Sequence, residues 1–340
     1  MRRSTSPISR PRMLRVAAGI LGLSLALSAC GGVTGKSSDS ADSSKPLTDL
    51  RIMVPNSAGG GYDITARTAA KVMEDDKITS GTEVFNLEGA GGTVGLARTV
   101  NEKSNADLTM LMGLGVVGAS YTNKSKATLT QTTPIVRLIE EYGAVMVPKD
   151  SPFKTIDDLV KAWKADPRSL SVGGGSSPGG PDHLFPMQLA QAEGIDPKQV
   201  RFVSYDGGGD LLPALLGDKI DFATSGVGEF KDQIANGDIR VLATSGAEAV
   251  EGVDAPSLKE AGIDLVFTNW RGVVAPPGIT DAQRDRLITA FEKLHATTAW
   301  KQALKDNSWA DAFETGDDFG DFLEQQDKRV ADTLGELGLA

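Results

Sequence analysis

The sequence has little of what most enzymes and metalloproteins rely on. One cysteine, Cys30, among 340 residues excludes an internal disulfide and any cysteine-ligated zinc site. There are only two histidines, His183 and His295, and nowhere do His, Cys and acidic residues recur at metal-ligand spacing. Aromatic residues make up 6% of the chain while glycine reaches 39 residues, so turns and close backbone approaches matter more than ring stacking. Positive charge is scarce beyond residue 29. The first 29 residues hold Arg2, Arg3, Arg10, Arg12 and Arg15 and no acid; the rest has 30 basic against 45 acidic residues, about −15. Such a surface repels nucleic acid and anionic lipid, so nucleic-acid binding is excluded. No sequence feature calls for a cofactor, and the chain reads as a monomer.

Long apolar runs are equally rare. The run Val16–Leu27 follows the basic stretch and is too short to span a bilayer. It ends in Leu27-Ser28-Ala29-Cys30-Gly31-Gly32, which resembles the lipobox of bacterial lipoproteins, where the cysteine is acylated and becomes the mature N-terminus. Residues 1–29 thus read as a lipoprotein signal peptide and Cys30 as the lipidated residue. This places the mature chain outside the cytoplasm, held to the outer face of the cell membrane by lipid alone. Residues 30–46 are Gly, Ser and Asp with almost no apolar content, a flexible tether rather than part of a core.

From Leu47, short β-rich runs alternate with helical patterns, the signature of an α/β fold with largely parallel sheets. Strands are predicted at 50–54, 82–87, 108–112, 142–147, 170–172, 200–203, 220–224 and 239–243. Helices are predicted at 63–74, 156–164, 184–192, 211–216 and 281–294. The segments 142–148 and 269–277 look like crossings, each followed by a capped helix, at Thr155 and Thr280. Residues 47–147 plus 269–340 then form one lobe and 148–268 a second, because 290 continuous residues exceed the usual size of one core. Two lobes joined by two strands imply a hinge and a cleft.

The chemistry lies in glycine loops between strands and helices. In Val54-Pro55-Asn56-Ser57-Ala58-Gly59-Gly60-Gly61-Tyr62-Asp63, three glycines let successive N–H groups converge on an anion, and the next helix adds its positive end. Asp63 is expected to cap that helix or to accept a bond from a ligand hydroxyl or water. The loop Glu88-Gly89-Ala90-Gly91-Gly92-Thr93 repeats the arrangement. Loops after neighbouring parallel strands emerge on one sheet edge, where open α/β folds bind ligands. The second lobe adds Gly173-Gly174-Gly175-Ser176-Ser177-Pro178-Gly179-Gly180-Pro181-Asp182-His183, with hydroxyls on Ser176 and Ser177, then Tyr205-Asp206-Gly207-Gly208-Gly209 and Thr224-Ser225-Gly226.

Taken in order, these motifs, with Trp270-Arg271-Gly272-Val273-Val274-Ala275-Pro276, resemble the extracytoplasmic receptors of tripartite tricarboxylate transporters, the Bug-type receptors. The resemblance runs from about Leu47 to the C-terminus. It implies a two-lobed periplasmic-binding-protein fold (type II, Venus-flytrap) with two crossover strands, closing on a small di- or tricarboxylate-like ligand that passes to the membrane subunits of such a transporter. By motif position it points to Ser57, Gly60, Asp63, Gly92, Thr93, Ser176, Ser177 and His183 as ligand neighbours. Gly59, Gly61, Gly91, Asp206 and Ser225 in the same loops complete the candidate site. Two departures stand out: Asn56-Ser57 replaces a frequent aromatic-Pro pair, and Asp206 replaces a frequent basic residue, removing a positive charge near the cleft.

Two motifs compete with this reading. Gly113-Leu114-Gly115-Val116-Val117-Gly118 matches a dinucleotide fingerprint, but Ala119–Thr128 is polar and unperiodic, so the expectation is an interlobe loop rather than the helix such a site requires. Gly175-Ser176-Ser177-Pro178-Gly179 matches a nucleophile elbow and would make the chain a secreted serine hydrolase using Ser177. His183 lies too near Ser177 in sequence for such an enzyme's late histidine, and His295 ends a helix. A ligand-sensing lipoprotein without transport is the third reading. Arg67, Arg98 and Arg271 could each grip a carboxylate bidentately.

Overall fold

The computed structural model describes residues 46–205 and 207–340. The Cys30 and Asp206 assignments lie outside them. The chain begins with β1 (Leu47–Thr48), β2 (Arg51–Val54), helix α1 (Gly61–Asp75), β3 (Thr79–Ser80) and β4 (Glu83–Asn86). Helix α2 (Thr93–Asn101) leads to β5 (Leu108–Gly113), and β2 lies parallel between β4 and β5. Every residue of β5 is buried, as for a parallel strand covered on both faces.

Helix α3 (Leu114–Thr122) opens where the sequence suggests an irregular loop. Leu114, Val116, Val117, Gly118, Ala119 and Ser120 are all buried, so the helix is wrapped by protein and has no polar face to reveal its period. The long strand β6 (Thr133–Pro148) is another difference, since only 142–147 reads as strand from the pattern. Arg137, Glu140 and Glu141 interrupt the apolar run, yet each is paired. Arg137 lies 2.6 Å from Glu140 and 2.7 Å from Glu314, and Glu141 pairs with Arg271.

Beyond β6 come α4 (Ile156–Ala165), β7 (Ser171–Gly174), α5 (Pro181–Ala192), β8 (Arg201–Ser204), α6 (Gly208–Leu216), β9 (Phe222–Gly226), α7 (Lys231–Ala235) and β10 (Ile239–Thr244). Here β7 lies parallel between β8 and β9, while β9 and β10 run antiparallel to β6 from Gly143 onward. The chain then crosses back as β11 (Thr268–Ala275), continues through α8 (Asp281–Ala296), α9 (Thr298–Asp306) and β12 (Ala310–Thr315), and ends in α10 (Gly316–Leu337). β11 and β12 pair antiparallel with the first part of β6. The sheets are therefore mixed rather than largely parallel, and two groups of parallel strands are joined through β6. That is a two-lobed fold.

The expected capping box forms at α8, where Thr280 and Gln283 exchange bonds of 2.9 and 3.3 Å, and the capped start expected at Thr155 is also a full box, with Thr155–Asp158 bonds of 3.0 and 3.2 Å. Trp163, Trp270 and Trp300 are fully buried in the main core. Trp270 meets Phe322 and Phe319 edge-on at 5.2 and 6.0 Å, and Arg137 covers the Phe322 ring at 4.0 Å, which fastens α10 to the crossing strands. A smaller second cluster gathers Met146, Leu211, Leu215, Phe230 and Val241.

Candidate functional site

The first glycine loop ends β2 and is fixed from within. Gly59, in the left-handed region at φ +82°, donates its N–H to Asp63 Oδ2 at 2.9 Å. Asp63 also accepts from Arg67 Nε at 2.9 Å and from Asn86 Nδ2 at 3.0 Å, and Asn86 holds the Asn56 carbonyl at 2.9 Å. The expectation that Asp63 caps α1 is corrected: Gly60 stands at the cap, and Asp63 lies inside the first turn with its carboxylate bonded to Gly59, Arg67 and Asn86. Burial alone would raise its carboxyl; the bonds from Arg67, Gly59 and Asn86 outweigh that and hold it below the ordinary range. Ser57, Ala58 and Gly59 remain exposed. The N–H groups of Gly61, Tyr62 and Asp63 have no carbonyl within α1 to bond and mark its positive end.

Beneath this helix start lies Arg271. A Cβ at Gly61 would fall 2.8 Å from its Cζ, so only glycine lets the guanidinium lie so close. Arg271 donates to Thr65 Oγ1 at 2.9 Å and pairs with Glu141, and it is 3% exposed. Rather than reaching for a ligand, it ties the first loop to β6.

The second loop turns through Gly89, Ala90, Gly91 and Gly92, all at positive φ. A Cβ on Gly92 would lie 3.2 Å from Pro55, and one on Gly91 2.7 Å from the Ala119 Cβ. Gly92 N–H returns to the Gly89 carbonyl at 3.0 Å and Thr93 Oγ1 to the Ala90 carbonyl at 3.0 Å. Gly92 and Thr93 are thus buried in the packing of the two loops against each other and α3; Gly91 and Ala90 stay at the surface. The picture of an open row of amide donors is corrected accordingly.

In the second lobe a Cβ on Gly175 would lie 2.9 Å from the Gly207 backbone, so the loops after β7 and β8 are in contact. Ser176 Oγ accepts the Asp182 N–H at 3.0 Å at the start of α5, and Ser177 is exposed. His183 Nδ1 accepts the Gly179 N–H at 3.2 Å, which leaves its proton on Nε2, and the ring stands edge-on to Phe202 at 4.7 Å. His295 bonds Asp311 at 2.8 Å. Neither histidine is bonded to Ser177.

Burial lowers the His183 imidazole to about 4 from its ordinary 6.5. A base kept neutral in the fold but protonated when unfolded makes stability fall as pH drops from about 6.5 toward 4, by up to about 3 kcal/mol. Urea midpoints should therefore drop further over that window in the wild type than in His183→Gln; parallel profiles would count against it.

At the end of β9 stands Ser225, a candidate from the sequence, with two acids around it that the sequence reading missed. Ser225 Oγ is 3.4 Å from Asp182 Oδ2 and 3.2 Å from Glu229 Oε2. A Cβ on Gly208, at the start of α6, would lie 2.9 Å from Glu229 Oε2. Burial and the Glu229 charge raise the Asp182 carboxyl well above its ordinary value. Burial and Glu141 raise that of Glu229, although its side chain is open to water. Among the described residues no group of three His, Cys, Asp or Glu is placed to hold a metal ion.

Helix starts and glycine loops thus gather at the carboxyl ends of both groups of parallel strands, in a fold whose lobes are joined by extended crossings. This defines a solute-binding protein of the two-lobed periplasmic type. The chain belongs to the tripartite tricarboxylate transporter family receptors, whose family model matches residues 65–339. A UPF0065 protein of Cupriavidus necator is 26% identical over 303 residues, covering 87% of this chain and 89% of the relative. A TctC solute-binding protein from Polaromonas superposes with a TM-score of 0.68 at 25% identity, covering 86% of this chain and 99% of that one. The malate-bound MatC of Rhodopseudomonas palustris gives 0.72 at 20% identity, over 85% and 99%. Receptors of this family are extracytoplasmic, and among the described residues no helix is long and apolar enough to cross a membrane.

Proposed function

We propose that this chain captures a small carboxylate between lobes 47–147 plus 269–340 and 148–268 and delivers it to the membrane subunits of a tripartite tricarboxylate-type transporter, as a receptor rather than an enzyme. The observation that supports this best is that the α1 and α5 starts approach each other at Gly115, where a Cβ would lie 3.1 Å from the Tyr62 hydroxyl and 3.7 Å from Pro181, while the loop before α5 touches the loop before α6 at Gly175 and Gly207. A carboxylate suits the positive end of α1, where short-range dipoles outweigh the screened net charge. The malate held by the Rhodopseudomonas neighbour supports that class of ligand.

The far end of the ligand meets different chemistry. Asp182 and Glu229 flank Ser225 there. Among the described residues, a second ligand carboxylate would stand against two acids, with the nearby Arg271 paired to Glu141. The di- or tricarboxylate expected from the sequence is therefore narrowed to an acid whose other end is a hydroxyl, amide or ammonium donor. Thermal shifts of the purified receptor with butyrate, β-alanine, succinate, malate and citrate test this. A shift with β-alanine larger than with succinate is expected, and no shift with any acid would remove the carboxylate reading. Cys30 is proposed as the lipid anchor, on its lipobox setting. Palmitate labelling should be present in the wild type and absent from Cys30→Ser.

A further inference from the structure

The Gly-x-Gly-x-x-Gly run has no part in the site as described, and its glycines have a use of their own. Gly113 makes room first for the Trp270 carbonyl of β11, which a Cβ there would overlap, and then for the Tyr62 ring at 3.0 Å; a Cβ at Gly115 would lie 3.1 Å from the Tyr62 hydroxyl. Gly118 does something else. A Cβ there would overlap the Gly179 carbonyl oxygen and lie 2.5 Å from the carbonyl carbon and 3.1 Å from Cα; its three nearest neighbours are all Gly179 backbone. In return, a Cβ on Gly179 would lie 3.0 Å from Thr122 and 3.1 Å from Gly118. Gly179 sits at φ +89°, where a side chain is strained as well as obstructed. The two lobes therefore meet backbone to backbone, α3 against the loop between β7 and α5.

Both partners are held from behind. The Gly179 peptide is fixed by its N–H bond to His183. On the other side, α3 supports the second glycine loop: Asn123 Nδ2 donates to the Ala90 carbonyl at 2.9 Å, next to the Gly91–Ala119 contact. One helix thus touches the candidate ligand loop through Ala119 and Asn123 and the opposite lobe through Gly118 and Thr122. A ligand that steadies the Gly89–Thr93 loop steadies the surface on which Gly179 lands.

We infer that Gly118 is a positioning residue for cleft closure: its missing side chain is the notch into which the Gly179 backbone settles when the lobes come together. This rests on the receptor reading, yet its central test needs no ligand. Glycine inside a helix is unfavourable relative to alanine. If the contact exists only in the closed form, Gly118→Ala gains helix stability in the open form and loses the closed one. If instead Gly118 is permanently packed, the same methyl simply destabilises the protein.

The experiment uses the full chain with Cys30→Ser and nitroxides on Lys71→Cys and Lys198→Cys, both exposed positions on opposite lobes. Electron–electron distances are recorded with and without β-alanine as the probe, alongside melting curves. The expected result is a short-distance population in the parent, its loss in Gly118→Ala and Gly118→Leu, and a Gly118→Ala melting temperature unchanged or up to about 2 °C higher. Retention of the short distance in Gly118→Ala, a melting temperature several degrees lower, or no short distance in the parent under either condition would overturn the inference. A short distance present in the parent but indifferent to β-alanine counts against the proposed ligand class and leaves this inference standing.

Discussion

Arg271→Ala is expected to lower the unfolding free energy by about 3–5 kcal/mol, the range for removing one partner of a buried ion pair. The pair qualifies, with Arg271 and Glu141 side chains 3% and 12% exposed. Glu141 would keep bonds from Trp309 Nε1 at 2.9 Å and Asn269 Nδ2 at 3.4 Å, but neither brings a charge. The loss has a second component that stability alone does not report. The guanidinium lies against Gly61 and bonds Thr65, so it supports the start of α1 from below. Arg271→Met with Glu141→Leu should recover most of the stability, because an apolar pair of similar volume removes the stranded charge. It should not recover ligand binding, because Thr65 then keeps only its bond to the Gly61 carbonyl and the start of α1 loses the guanidinium beneath it. Urea midpoints at constant m-value check the first expectation and thermal shifts with the best ligand the second. A single-variant loss below about 1 kcal/mol would show that the pair is not truly desolvated.

Much of this architecture is legible in the chain. The loops at 55–60, 88–92 and 175–180 stand where glycine content places them, although Gly173 and Gly174 end β7, and the segments read as crossings fall in β6 and β11. What the pattern hides has physical causes. Helix α3 lacks an amphipathic period because it is buried almost all round. The first part of β6 hides behind Arg137, Glu140 and Glu141, whose partners at 314 and 271 are far away in sequence. The inward turn of Asp63 did leave a signal, since Asp63 and Arg67 are four apart on one helix, the spacing of an intrahelical pair. Glycine loops also admit two readings that composition cannot separate: a loop opened for a ligand and a loop opened for another part of the protein. Gly92, packed against Val116 and Pro55, and Gly118, packed against Gly179, show the second kind of contact. The acids at 182 and 229 lie on separate elements and meet only after folding, at a hydroxyl on a third.

Those acids carry the other large prediction. Ser225 has one hydroxyl proton and two carboxylate oxygens within reach, so it satisfies one of them and the other needs a proton or a donor from elsewhere. Glu141 adds to the negative field on both acids. An acid whose carboxyl is raised in the fold binds its proton more tightly there than when unfolded, so its contribution to stability declines as pH climbs above the ordinary carboxylate value. Glu229→Gln should therefore raise the ligand-free melting temperature at neutral pH, with the gain fading below about pH 4, where both states are protonated. The same change should reverse selectivity. Charges about 4 Å apart near a protein surface interact by up to about 4 kcal/mol, and water at the open Glu229 side chain reduces that to roughly 1–3 kcal/mol. The preference for β-alanine over succinate should then shift toward succinate by about tenfold to a hundredfold, read by titration calorimetry. Equal affinities in parent and variant would mean that the far end of the ligand never reaches Glu229. A gain in stability bought at the expense of selectivity would mark the acids as retained for recognition rather than for the fold.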